Sequence, residues 1–379
     1  MRALILSGGG ARGAYQVGVI NALADICKDL NMPSPFSIYT GVSAGAINAA
    51  YMASGCDAFA KTSRGLADIW SEISAEQVFK TDALSMGKIG LKWMGELSFG
   101  ALSGTTAGRS LLDTEPLWKL IGDNCDFQRI PELIDKKTLH ALALTALDYK
   151  DSSAITFVQG DDSCKEWKRS RRRSEVAKIR TEHVMASSAI PLLFPPITVN
   201  SRYFGDGCVR NVSPCSPAIH LGAEQVFVIG VRSKTEFQTE SANYEAVKAP
   251  SVARVVNVIL NAVMLDGIEI DIERMERINE FLKRVPKEHQ ENLNFKPMDY
   301  VFIYPSEDIG AIALSMSHKL PRIIRYLLKG LGPLEEAAEI ISYLLFEKEF
   351  CTRLIEMGYK DAMKSKGRIV QFLKVAKNQ

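Results

Sequence analysis

Phe36-Ser37-Ile38-Tyr39-Thr40-Gly41-Val42-Ser43-Ala44-Gly45-Ala46-Ile47-Asn48-Ala49-Ala50-Tyr51-Met52 decides the fold of this 379-residue chain. Phe36 to Thr40 has the aromatic and β-branched content of a strand, Gly41 to Gly45 the small residues of a tight turn, and Ala44 to Met52 the alanine content of a helix. The same plan stands at the start of the chain. Residues 3–7 form a short apolar run closed by Gly8-Gly9-Gly10, and Ala14 to Leu23 carries Val17, Ile20 and Leu23 at helical spacing. Strand, turn and helix twice over imply an α/β fold: a mostly parallel central sheet with helices on both faces, a three-layer α/β/α core. Leu139–Leu147, Ala154–Val158, Val226–Val231 and Tyr300–Tyr304 are further strand candidates, giving five or six strands. From Ser251 the pattern turns helical, with Val252, Val255, Val256, Ile259 and Val263 three and four apart and Leu334–Phe350 opened by Pro333. The expected division is an α/β domain at 1–233 and a mainly helical extension at 234–379 packed on it.

Composition narrows the function. Lys and Arg number 46 against 44 Asp and Glu, and a net charge of +2 gives no global attraction to nucleic acid or anionic lipid. Seven scattered cysteines without paired metal spacing are expected to be free thiols of a reducing compartment. No targeting segment is visible at the start, and the longest apolar run, Val255–Leu265, is interrupted by Asn257 and Asn261, so no membrane span is expected. The expectation is a cytoplasmic protein that can still lie peripherally on a membrane; oligomeric state stays open. Two segments break the α/β regularity. Leu84–Leu102 mixes apolar residues with four glycines and reads either as a substrate-facing flap or as a connection packed on the core. Lys165–Arg180 holds eight basic residues against Glu166 and Glu175, which suits a solvated face or an anionic membrane surface. Nucleic acid is disfavoured because Trp167 is its only aromatic residue.

Gly41-Val42-Ser43-Ala44-Gly45 is a G-x-S-x-G string between strand and helix, where small flanking residues permit the sharp turn that presents a serine hydroxyl at the sheet edge. Gly8-Gly9-Gly10-Ala11-Arg12-Gly13 exposes backbone amides at a positive helix end, an anion cradle. It also satisfies the dinucleotide fingerprint G-x-G-x-x-G, but no acid lies between Asp29 and Asp57 to hold a ribose. With Ser43 at that strand end instead, the cradle reads as an oxyanion hole. None of the five histidines sits where an α/β-hydrolase base is needed. Asp206, in the turn Phe204-Gly205-Asp206-Gly207, is placed to take the serine proton directly; the plainer alternative is a turn-forming Asp-Gly pair.

These three motifs, in this order, resemble the patatin-like phospholipases. The resemblance extends through Ala186–Pro196, Asn211–Gly222, Ser342–Phe346 and Leu354–Ala362. It implies a patatin-like catalytic core, a Ser43/Asp206 dyad without histidine, and an oxyanion hole of backbone N–H groups around Gly9, Gly10 and Arg12. Gly8, Ala11, Gly13, Gly41, Gly45 and Gly207 complete the motifs, and neither metal nor organic cofactor is required. The implied activity is that of a lipid acyl hydrolase, of phospholipase A or lysophospholipase type, acting on phospholipid or another acyl-ester lipid. Residues 84–102 and Ile190–Phe194 are candidates for the acyl channel, and Ala311–Lys329 is a stretch that either rests on a bilayer or packs on the core. One departure stands out: the family's D-G-G or D-G-A is D-G-C here, which puts the turn at Cys208, and with it the activity, in question. A soluble esterase, thioesterase or acyltransferase, a lipid-binding pseudoenzyme and a nicotinamide oxidoreductase remain as alternatives.

Overall fold

The computed structural model describes residues 1–80, 110–233, 249–264, 266–290, 293 and 295–374; the expected flap at 84–102 lies outside them. The central sheet is built from β1 (Arg2–Leu6), β2 (Ile38–Val42), β3 (Ala141–Asp148), β4 (Ser153–Gly160), β5 (Lys168–Arg169), β6 (Arg172–Val176), β7 (Ile197–Val199), β8 (Arg202–Asp206), β9 (Gln225–Ile229) and β10 (Asp299–Ile303). Its order is β10-β9-β1-β2-β3-β4-β6-β5, with β8 attached to β3 and β7 to β8. From β10 to β3 every pairing is parallel.

The period of two along each strand sorts side chains into two cores. Leu4, Leu6, Tyr39, Phe227 and Ile229 face the larger core, while Ala3, Ile5, Ile38, Val226 and Val228 face the smaller. The larger layer contains α1 (Gly13–Asp29), α2 (Ala44–Ser54) and α3 (Phe59–Ser71), and α1 is buried on nearly every side because α3 and the helix Lys348–Lys364 both pack on it. The thinner layer is formed by Ser216–His220 and Asp266–Arg284, which add Ala218, Ile268, Ile272 and Met275. The three-layer α/β/α reading therefore holds. Chain from beyond 233 supplies β10, paired with β9 from Asp299 opposite Gln225 to Ile303 opposite Ile229, and the helices that cover α1.

The sequence reading undercounted the strands. β5 to β8 are two to five residues long, and β5 and β6 lie within the basic stretch expected to be a solvated face. Short edge strands carry too little apolar pattern to read, and their pairing is decided by β3 and β4. Asp206 ends β8 instead of lying in a free turn, and Gly41 and Val42 still belong to β2, held opposite Leu144 and Thr145. Among the described residues, no helix is long and apolar enough to cross a membrane.

Candidate active site

The site follows from a topological collision. β2 runs parallel to β3 and ends with Val42 opposite Thr145, while β8 runs antiparallel to β3 and ends with Asp206 opposite Ala146. Thr145 and Ala146 are consecutive, so two strands approach each other along one edge of β3 and their C-terminal ends meet. Ser43 follows one end and Asp206 is the other.

Ser43 adopts φ 54° and ψ −129°, a strained backbone for a residue with a side chain, at the start of α2. Its carbonyl accepts from Ala46 N at 2.8 Å, which closes the elbow. The turn also requires Gly45: a Cβ there would lie 2.2 Å from the Leu6 carbonyl oxygen and 2.5 Å from that of Ser7. Two serines absent from the sequence-level site lock the elbow. Ser43 N–H donates to Ser187 Oγ at 3.1 Å, and the Ser187 hydroxyl donates to Thr145 O at 2.6 Å. The Ser188 hydroxyl lies 3.0 Å from Ser43 O and 2.9 Å from Val184 O. The next residue, Ala189, accepts Asp206 N–H at 2.8 Å, so one segment orients both halves of the pair. The tandem serine ending the helix Thr181–Ser187 was the visible signal, but its bonding depends on long-range contacts.

Asp206 is fully buried, and desolvation raises its carboxyl from 3.8 to about 6, against the lowering effects of the Ser43 hydroxyl and of Cys208. Oδ1 accepts Cys208 N–H at 2.9 Å. Oδ2 is buried with no hydrogen-bond partner among the described residues. The Ser43 hydroxyl lies near enough to this carboxyl to favour its ionised form. Gly207 opens the short turn Gly207–Val209, and Cys208 sits in it buried, its thiol pushed up by desolvation and by Asp206.

The glycine loop lies beside this pair, with Gly8 against both Ser43 and Cys208. Ala11 and Gly13 are buried where the loop enters α1. Arg12 departs from its expected part: its amide donates to Gly9 O at 3.1 Å, and its guanidinium is buried as a brace. Nε donates to Ser342 Oγ at 2.7 Å, Nη1 to Val231 O at 3.3 Å, and Nη2 pairs with Glu339, with the guanidinium 5.1 Å from the Tyr343 ring centroid. That leaves the Gly9 and Gly10 amides, which have no acceptor among the described backbone groups. A buried relay holds the loop from the other side: Gln16 Nε2 donates to Ser7 O at 2.7 Å, Asn48 Nδ2 to Gln16 Oε1 at 2.9 Å and to Gly13 O at 3.1 Å, and Trp70 Nε1 to Asn48 Oδ1 at 2.8 Å.

An apolar cavity of about 50 Å³ opens at Ser43 and Gly10, walled by Ile47, Trp70, Ile121, Ile190, Phe194 and Phe346 among others. Of the stretch Ile190–Phe194, its two ends line this cavity, while Pro191, Leu192 and Leu193 line a separate apolar groove. No histidine lines it. His183 is buried elsewhere, accepting Arg180 N–H at 3.1 Å through Nδ1.

Comparison with solved structures returns VipD from Legionella pneumophila, at 14% identity and a TM-score of 0.37, covering 97% of this chain and 67% of that one. It also returns the type III effector ExoU, at 12% identity and TM-score 0.37, covering 98% and 53%. Human GIVD cytosolic phospholipase A2 in complex with methyl γ-linolenyl fluorophosphonate matches at 11% and 0.40, covering 99% and 59%. The chain thus spans between about half and two thirds of these structures' lengths. No curated protein matches it. The family model described as Patatin-like phospholipase matches residues 4–219, which hold every motif of the site, and the chain belongs to that family.

Proposed function

We propose that the protein is a lipid acyl hydrolase in which Asp206 acts as base to Ser43. The observation that carries this reading is the head-on meeting of β2 and β8 on β3, which brings a serine on a strained elbow to a buried carboxylate beside two unengaged amides. Asp206 takes the Ser43 hydroxyl proton as Oγ attacks the ester carbonyl carbon. The oxyanion is held by the Gly9 and Gly10 amides, and each such donor is worth about 3 kcal/mol in the transition state. The proton passes from Asp206 to the departing alcohol, leaving an acyl-serine. Water then loses a proton to Asp206, attacks the acyl carbon, and the fatty acid leaves as Ser43 regains its hydrogen. A carboxyl near 6 is ionised at neutral pH and still basic enough to share the proton in transit. Cys208 fits its turn and donates its amide to Asp206, which favours catalysis over a pseudoenzyme.

The apolar cavity supports an acyl chain as the group received. At about 50 Å³ it is far below the ~300 Å³ of a drug-sized site, so wall residues such as Ile190 and Phe194 move when a long chain enters. Lys168, Arg169 and Arg171 are exposed on the β5–β6 hairpin. Register places that hairpin at the catalytic end of the sheet, since Arg172 pairs with Ala154 and Ser153 with Asp148. They suit contact with lipid phosphate, and the seven unpaired thiols suit a reducing compartment, consistent with peripheral attachment to a cytoplasmic membrane face. The test is fluorophosphonate labelling, together with fatty-acid release from phosphatidylcholine and phosphatidylglycerol vesicles, for wild type, Ser43→Ala and Asp206→Asn. Labelling and release in wild type alone are expected; a folded wild type that neither labels nor releases acid overturns the reading.

A further inference from the structure

The helix Val252–Met264 contains one charged residue, Arg254, and no acid. Globular helices turn their polar side outward, but here the opposite holds. Ala253 and Asn257 are buried, while Val252, Val255, Val258, Ile259 and Ala262 are exposed. At 100° per residue these five fall on a single outward stripe. Val256 and Leu260, on the helix's inner flank, form one wall of an apolar groove of about 280 Å³, whose other walls are Pro191–Leu193 and the helix Arg322–Leu331 through Leu327, Leu328 and Leu331. Leu192, in its lining, stands 72% exposed, and Tyr326 stands 73% exposed on the side of Arg322–Leu331 away from the groove. An apolar surface of this extent on a folded chain marks an interaction site.

Charge identifies the occupant. The two helices carry Arg254, Arg322, Arg325 and Lys329 without one carboxylate, and none of the four forms an ion pair among the described residues. On Arg322–Leu331 the exposed Arg322 and Lys329 stand beside Tyr326 on the side away from the buried Ile324 and Leu328, while the half-buried Arg325 donates to His318 O at 3.1 Å; exposed cations beside an aromatic residue suit a helix lying in a headgroup layer. In sequence, 81–109 has Asp82 and Glu96 against Lys88, Lys92 and Arg109 and is net positive, and 234–248 has three Glu against two Lys, an excess of one negative charge against four cations. The surface is also continuous with the catalytic end. Val252–Met264 packs on the Gly207–Val209 turn beside Asp206, and Leu192 of the groove lies between Ile190 and Phe194 of the Ser43 cavity.

We infer that this face, formed by Val252–Met264, Arg322–Leu331 and the Pro191–Leu193 loop, docks on a phospholipid bilayer bearing anionic headgroups. It deepens the hydrolase reading and rests on it for the route by which an acyl chain passes from bilayer to Ser43, although the docking itself does not need turnover. The experiment is co-sedimentation of the full chain with phosphatidylcholine vesicles, with and without phosphatidylglycerol, alongside turnover of a dispersed short-chain ester. Wild type and Ser43→Ala are expected to bind the anionic vesicles equally. Val258→Asp/Tyr326→Asp loses vesicle binding and vesicle hydrolysis by at least about tenfold while keeping short-chain turnover. Arg322→Gln/Lys329→Gln binds anionic vesicles roughly 25-fold less well, about fivefold per cation, the equivalent of about 1 kcal/mol each, and changes little on phosphatidylcholine alone. Should the first variant fail to fold, the second decides. Variants that bind like wild type, a wild type that ignores vesicles, or a dimer that Val258→Asp/Tyr326→Asp converts to monomer each overturn the inference. A vesicle-binding wild type without esterase activity sinks the hydrolase reading and leaves docking intact, whereas an active enzyme indifferent to vesicles does the reverse.

Discussion

Asp206→Asn is expected to abolish turnover and, at neutral pH, to stabilise the fold. The Asp206 carboxyl is held at about 6 in the folded protein against 3.8 ordinarily, because it is desolvated with Oδ2 unpartnered. The folded state therefore binds this proton more tightly than the unfolded chain. Below about pH 4 both states are protonated and the residue costs nothing; as pH rises through about 6 the folded state must carry a buried charge, and stability falls. A difference of about two units corresponds to about 3 kcal/mol lost by pH 8. Asn keeps an acceptor for Cys208 N–H and removes the charge, at a cost of about 1 kcal/mol for a buried amide donor poorly satisfied. The variant should thus be about 2 kcal/mol more stable than wild type at pH 8 and about 1 kcal/mol less stable at pH 4. Thermal or denaturant unfolding of both proteins across that range measures it, since pH effects common to the two cancel in the difference. A gap that does not change with pH, or a variant less stable at pH 8, refutes the reasoning. With Asp206 as the proposed base, wild-type kcat/KM on a dispersed ester should rise with pH through an inflection near 6 and not near 4.

Three further perturbations address the supports of the site. Ser187→Ala removes the acceptor of Ser43 N–H and should cost about 1–3 kcal/mol, lowering kcat with KM little changed in steady-state kinetics; an unchanged kcat removes Ser187 from the elbow. Arg12→Met strands Glu339 in the interior and should destabilise by about 3–5 kcal/mol in denaturant titration, with Arg12→Met/Glu339→Met recovering most of it; no recovery means the brace works through Ser342 or Val231 instead. Gly8→Ala would place a Cβ 2.2 Å from Cys208 Sγ and 2.8 Å from Ser43 Cβ, so activity should drop about 100-fold, and Gly8→Ala/Cys208→Gly should restore only part because the second clash persists. Full activity in the single variant would mean the loop has more room than its packing implies.

Most strands that read well from sequence, β1, β2, β3, β4 and β9, have their apolar character set locally by burial on two faces, and the edge strand β10 reads through its aromatic and β-branched residues. Ser43, with Gly41 and Gly45, was legible for a related reason: an elbow that sharp admits only small neighbours, and that requirement is written into five consecutive residues. Asp206 was legible only through its place in a family motif, because an Asp-Gly pair alone means a turn. The brace made by the Arg12 guanidinium was not legible, because nothing nearby in sequence announces Glu339 and Ser342, more than 300 residues away, and the turn that ties the Arg12 amide to Gly9 O is set by the folded loop.

The sequence by itself determined the alternation of strands and helices, the serine elbow and the amide-rich loop, since each depends on backbone freedom and apolar periodicity within a dozen residues. Only the tertiary structure decided that β8 would run into β2 on the edge of β3, that Ser187 and Ser188 would clamp the elbow, that the Asp206 carboxyl would be left half unpaired, and that a valine-rich helix would face outward beside it. The physical reason is that strand pairing, desolvation and exposure are properties of what the rest of the chain brings alongside a residue, and no local pattern encodes those neighbours.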